Sequence, residues 1–204
     1  MSGVLVVISG PSGAGKTTIC KLLAKRHNDF VISVSCTTRN PGAEELDGVD
    51  YNFITNDEFT AGIRMKAYIE YEIVYGCYYG TRHTKLAENI AAGKTVLLDI
   101  DVNGAIKIQE LYPDTVSFFI DTRSPDVLER RLIDRGRDTL TEIKRRLEAS
   151  PAECRKKCFL RYHLTNDLLI ETVDYIDLII VRHQIAATDA TRVLANQAQN
   201  QSIY

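Results

Sequence analysis

The chain has 204 residues, 45% of them hydrophobic and 25% charged, with a formal net charge of −2. This is enough for one sizeable domain with its own core and room for an inserted subdomain. It gives no whole-protein reason to expect nucleic acid or an anionic membrane as partner, and no stretch approaches the roughly 20 apolar residues that span a bilayer.

VLVVIS (4–9) is a short run of apolar, mostly β-branched residues, the pattern of a parallel strand buried on both faces. It is too short for a signal peptide, with no basic residue before it. The glycine-rich GPSGAGKT (10–17) follows, and TTICKLLAKRH (17–27) has apolar residues at helical spacing. FVISVS (30–35) predicts a second strand, after which the chain breaks up into polar residues, a proline and two glycines as far as YNF (51–53). NDEFTAGIR (56–64) predicts a short helix with Asn56 as N-cap. AYIEYEIVYGCYY (67–79), aromatic and β-branched, predicts one or two strands. A helix over 81–93 ended by Gly93, a buried strand at KTVLLDID (94–101), a helix to Tyr112 and a strand at TVSFFID (115–121) come next.

SPDVLERRLIDRG (124–136) predicts a helix capped by Ser124 with Pro125 at its first position. TLTEIKRRLEAS (139–150) predicts a second basic helix ending near Pro151, and YHLTN (162–166) a weak strand. In DLLIETVDYIDLII (167–180), Leu169, Val173, Ile176 and Ile180 share a helical face, although IDLIIV (176–181) also fits a strand. Residues 186–204, rich in Ala, Asn and Gln, are expected to form a loosely held tail. Strands alternating with helices predict an α/β fold with a parallel sheet. The five cysteines (Cys20, Cys36, Cys77, Cys154, Cys158) are odd in number and scattered, which predicts a reducing, cytoplasmic location. Cys154 and Cys158 are four apart, but no second Cys/His pair completes a zinc site.

GPSGAGKT fits G-x-x-x-x-G-K-[ST] in full, between a predicted strand and a predicted helix, the context in which the motif binds a nucleoside triphosphate. Gly10, Pro11, Ser12, Gly13, Ala14 and Gly15 form the loop, whose glycines let the backbone turn N–H groups inward toward phosphate, with the dipole of the helix behind them. Lys16 reaches the β- and γ-phosphates, and the Thr17 hydroxyl is placed to ligate Mg²⁺. Asp99 ends the VLLDID strand where sheet, metal and phosphate meet; its alternative role is N-cap of the helix that follows. The N-K-x-D that a switch GTPase uses to read its base is absent. From Arg123 to Lys157 there are eleven basic and seven acidic residues. Most of these serve a solvated face, but Arg135 and Arg146 lie on successive helices that a hinge would bring onto phosphates, meeting charge in a dry site.

GPSGAGKTT, SVSCTTRNP, DGVDYNF, YIEYEIVYGCYYGT, VLLDID, RLIDRG with KRRL, and TND occur in an order and spacing that resemble the guanylate kinase family over nearly the whole chain. The resemblance implies an enzyme that phosphorylates GMP or dGMP with ATP and Mg²⁺, without nucleic acid or membrane partner, as a monomer or homodimer. It implies a phosphate-loop core of parallel strands flanked by helices (1–33, 82–122 and 158–185), a small mixed GMP-binding insertion (34–81), a helical lid (123–157) and the tail (186–204). By motif, Ser35, Glu70 and Asp101 are implied guanine readers, and Arg39, Tyr51 and Tyr79 ligands of the GMP phosphate. Thr81 faces GMP, Lys16, Thr18 and the loop amides hold ATP, Arg39, Arg135 and Arg146 assist Lys16 in transfer, and Asn166 lies near adenine.

A carboxylate at position 70 accepts both N1–H and the exocyclic N2–H of guanine, which adenine does not offer, and Ser35 donates to O6. A site built on such bonds rejects an analogue lacking them by roughly 10⁴–10⁵. Two departures stand out. Gly42 follows Pro41 where the family has a second arginine, and Cys77 replaces the usual Asn. Losing one charged hydrogen bond is worth about 1.5–3 kcal/mol. A kinase of another phosphorylated acceptor, such as a ribose bisphosphate, and a non-catalytic interaction module of the same fold are the alternatives.

Overall fold

A computed structural model describes residues 3–42, 44–136 and 138–201, with side chains up to residue 189. Five parallel strands, β1 (Leu5–Ser9), β2 (Phe30–Ile32), β7 (Thr95–Asp99), β8 (Val116–Asp121) and β9 (Tyr162–Thr165), form the main sheet in the order β2-β7-β1-β8-β9. β1 lies at the centre, with Ile8 opposite Asp99 on one side and Phe118 on the other. Its residues alternate between two cores. Val4, Val6 and Ile8 join Ile19, Leu23, Val173, Ile176 and Ile180 on one face. Leu5 and Val7 join Leu86, Val96, Leu98, Ala105 and Ile108 on the other. A strand covered on both faces reads as an unbroken apolar run, and this is why VLVVIS does.

Helices α1 (Lys16–Arg26), α3 (His83–Ala91) and α4 (Val102–Leu111) flank this sheet. A second, four-stranded sheet has the order β4-β3-β6-β5, from β3 (Cys36–Thr37), β4 (Asn52–Phe53), β5 (Tyr68–Val74) and β6 (Cys77–Arg82). The 67–79 stretch is therefore a hairpin, turning at Tyr75 and Gly76. Helix α2 (Asn56–Arg64) covers this small sheet with Phe59, fully buried and stacked on Tyr68 and Tyr78 at 4.3 and 4.9 Å. Gly80 makes room for that ring: a Cβ there would stand 2.9 Å from Phe59 Cζ. Helices α5 (Pro125–Asp134) and α6 (Leu140–Arg155) pack together as an arm beside the main sheet.

Four local expectations need correction. The strand predicted over 30–35 ends at Ile32, and Ser33–Ser35 leave the main sheet so that the chain can enter the small one. Asn56 is the first helical residue, while Thr55 is the N-cap in a reciprocal capping box with Glu58; the T-x-x-E spacing carries that signal. Helix α6 runs through Pro151 to Arg155. Proline there forfeits one backbone bond, but Leu147 before it and Cys154 after it pack against the two cores, and tertiary contact outweighs the break. Finally, α7 (Leu169–Gln201) takes in both the ambiguous 176–181 segment and most of the expected tail. Val173, Ile176 and Ile180 are fully buried at helical spacing, and 186–201 contains five alanines and no Gly or Pro. The tail's last three residues lie outside the described residues. Among the described residues no helix is long and apolar enough to cross a membrane.

Candidate functional site

The glycine loop leaves β1 at its C-terminal end and enters α1. Gly10, Gly13 and Gly15 have φ of 137°, 90° and 97°, a region that side chains rarely adopt. At Gly10 a Cβ would stand 2.0 Å from the Ile120 carbonyl oxygen of β8, so the loop lies against the neighbouring strand. Lys16 Nζ bridges the loop, donating to the carbonyls of Gly10 and Pro11 at 2.7 and 3.2 Å. Thr17 Oγ1 donates to Asp99 Oδ2 at 2.5 Å. The helix after β7 is capped by Asp101, which accepts from the N–H groups of Asn103 and Gly104 at 2.8 and 3.3 Å. Asp99 is therefore not the N-cap; it ends its strand beside Thr17.

A single cleft of about 620 Å³ extends from this loop to the small sheet. Ser12, Lys16, Thr17 and Thr18 line one end; Ser35, Arg39, Tyr51, Glu70, Tyr79 and Asp101 line the other; Arg135 and Arg146 close it from the arm. Ser35 is buried just after β2 leaves the main sheet. Glu70 is buried on β5 above the start of α4, where a Cβ on Gly104 would stand 2.7 Å from its Oε2. Burial pushes the Glu70 carboxyl up to about 7; the Thr81 hydroxyl, donating at 2.6 Å, opposes this and Asp101 reinforces it. Burial likewise raises Asp101. Thr81 itself is fully buried, and its hydroxyl donates to Glu70.

Arg39 is already engaged. Its guanidinium grips Glu45 with two bonds of 2.5 and 2.6 Å and lies 4.9 Å from the centre of the Tyr51 ring. Burial works against its charge, and Glu45, together with Tyr79 and Tyr51, more than offsets that. The Gly42 N–H donates to the same Glu45 at 2.7 Å. Where an arginine is expected after Pro41, the loop thus ties its backbone to the partner of Arg39. Arg146 donates to Ser12 Oγ at 2.9 Å and to Asp138 at 3.1 Å, joining the arm to the glycine loop. Asn166, only 2% exposed, donates to the Ala14 carbonyl at 2.8 Å, and its Oδ1 has no hydrogen-bond partner among the described residues.

Sequence reasoning missed Arg131, whose guanidinium reaches the carbonyls of Ala14 and Asn166 at 3.4 and 2.8 Å and lines the cleft. Its spacing of four from Arg135 on one helix was the available signal. Glu153 and Tyr75 also line the cleft without having been expected there.

The guanylate kinase family model matches residues 2–183. A guanylate kinase of Clostridium perfringens is 42% identical over 179 residues, covering 88% of this chain and 83% of that protein. A guanylate kinase of Clostridium acetobutylicum is 43% identical over 179 residues, covering 88% and 85%. The crystal structure of guanylate kinase from Anaplasma phagocytophilum superposes with a TM-score of 0.76 at 31% identity, covering 90% of this chain and 87% of that one. Sequence, fold and the full glycine loop agree, and the chain belongs to the guanylate kinase family.

Proposed function

We infer that the protein transfers the γ-phosphoryl group of ATP to GMP, yielding ADP and GDP. The observation that carries this is one cleft with a complete triphosphate loop at one end and a buried carboxylate at the other. Lys16 and the loop amides neutralise the donor phosphates, and Arg131, Arg135 and Arg146 meet charge on the transferred group. Ionised Glu70 accepts guanine N1–H and N2–H while Ser35 donates to O6; Asp101 lies within reach of the same base edge. Tyr51, Tyr79 and Arg39 take the acceptor phosphate, with Arg39 passing from Glu45 to phosphate or sharing itself between them. The unpartnered Asn166 Oδ1 fits the adenine amino group. Closure of the α5–α6 arm as a lid over 123–157 excludes water that would otherwise take the phosphoryl group.

Thr17 and Asp99, with their oxygens 2.5 Å apart beside the loop, suit Mg²⁺. Magnesium characteristically takes one or two protein oxygens and fills the rest of its shell with phosphate and water. When bound, it neutralises charge on the β- and γ-oxygens. Five free cysteines fit a cytosolic location.

The test is turnover with GMP, dGMP, AMP, UMP and ribose phosphates as acceptors. GMP is expected to exceed AMP by orders of magnitude; equal rates would overturn the acceptor assignment and favour a kinase of another phosphorylated acceptor. The phosphate clamp is tested separately. Gly42→Arg is expected to lower KM for GMP by roughly one decade, the worth of one charged hydrogen bond, with little change in kcat. The new Cβ would meet Glu45 Oε2 at 3.2 Å, so the carboxylate held by Arg39 and the Gly42 N–H must shift by a few tenths of an ångström to admit it. An unchanged KM would mean that Arg39 and the tyrosines already saturate the phosphate.

A further inference from the structure

Tyr75 is the first of the two residues that turn β5 into β6. Its φ is 53° and that of Gly76 is 84°. Positive φ at both positions is the hairpin turn that Asn-Gly prefers, and a bulky side chain there is strained. The ring is not left in solvent. It is half-buried at the cleft, with the guanidinium carbons of Arg145 and Arg146 at 5.2 and 5.1 Å from its centre, inside the range of cation–π attraction. Tyr75 belongs to the acceptor-side sheet, and both arginines belong to α6 of the arm. Arg146 continues to Ser12 of the glycine loop and to Asp138, while its Nε, though buried, has no hydrogen-bond partner among the described residues. Two hydrogen bonds and the tyrosine face therefore hold that guanidinium.

We propose that Tyr75 is a positioning residue for phosphoryl transfer. Its ring, carried by the acceptor-side hairpin, seats the arm's Arg146 on the phosphate loop and so links the two halves of the cleft. The proposal rests on the assignment of Arg146 to the transferred phosphate. It accounts for a tyrosine at a turn position where asparagine would be more comfortable: local strain is offset by contact across the cleft.

Tyr75→Asn separates the two roles, since it relieves the turn and removes the ring. Its thermal midpoint is expected at or above that of the wild type, while kcat falls about five- to thirtyfold, the span between an exposed and a desolvated cation–π contact. KM for GMP should stay within about twofold, because no ground-state contact to the acceptor is lost. Tyr75→Phe keeps the ring face and should keep kcat. In an Arg146→Ala background Tyr75→Asn should cost less than about threefold, since the two act through one contact. Wild-type kcat in Tyr75→Asn, a Tyr75→Phe as slow as it, or a full loss repeated in the Arg146→Ala background would each overturn the proposal. If the wild type itself did not phosphorylate GMP, the acceptor assignment would be at fault; wild-type turnover beside an unaffected Tyr75→Asn would sink only the role of Tyr75.

Discussion

Lys16→Ala is expected to lower kcat with ATP and GMP by at least about 10²–10³-fold, the loss on removing one preorganised charge from a developing anion. In the structure the ammonium donates to the Gly10 and Pro11 carbonyls, so in these bonds carbonyl dipoles, not a carboxylate, hold its charge, which stays available to phosphate. The fold should survive. Two hydrogen bonds to a part-buried side chain contribute about 1–3 kcal/mol in all, and each kcal/mol moves the midpoint of a protein this size by about 2–4 °C. GMP affinity, measured by calorimetry without ATP, should stay within a few-fold, because the acceptor residues lie at the other end of the cleft. Turnover within tenfold of wild type would show that the loop does not carry the transferred charge. A matching collapse of GMP binding would show that the substitution disturbs the whole cleft.

What the sequence made legible depended on how local each signal was. The glycine loop, Lys16 and Thr17 are contiguous, so a linear pattern between a strand and a helix suffices to find them. Asp99 follows from the strand it ends, and the five parallel strands from apolar runs bounded by helices. Ser35, Glu70 and Tyr79 are scattered over 45 residues of small-sheet sequence, and nothing local separates Glu70 from a solvent-facing strand glutamate. Only the family resemblance singled it out; the structure adds its burial and its bond from Thr81. Glu45 gave no signal, because a surface-like acid in a polar loop looks the same whether it is solvated or grips Arg39. Arg131 and Tyr75 meet partners 117 and about 70 positions away, a relation that no local pattern encodes. Pro151 and the 186–201 segment misled in the opposite direction: local composition argued for a break and a loose end, and packing or alanine-rich propensity overrode it.

Glu70→Gln is expected to cost roughly 10²–10⁴-fold in kcat/KM for GMP: one charged hydrogen bond at about 1.5–3 kcal/mol is lost, and a donor facing a donor costs about as much again. The amide keeps one acceptor for guanine but turns an NH₂ toward a base edge that also donates. ATP binding should be little changed, and an equal fall in both would mark Glu70 as structural. The pH dependence gives an independent reading. In the free protein burial holds Glu70 at about 7, against Thr81 and with Asp101, while Lys107 nearby favours the charged form. Guanine requires the carboxylate, so kcat/KM for GMP should fall about tenfold per pH unit below about 7 and level off above it; Glu70→Gln should flatten that limb. Stability runs the other way. Because the folded state holds this proton more tightly than the ordinary value of 4.5, stability is lost as pH rises from about 4.5 through about 7. At pH 8 the wild type carries a buried charge that the glutamine variant lacks, and the Thr81 hydroxyl still finds an acceptor in the amide oxygen. Glu70→Gln should therefore melt above the wild type at pH 8, with the gap closing toward pH 5. A variant that melted lower at pH 8 would mean that the carboxylate stabilises the empty fold, and that its burial is not a cost which guanine relieves.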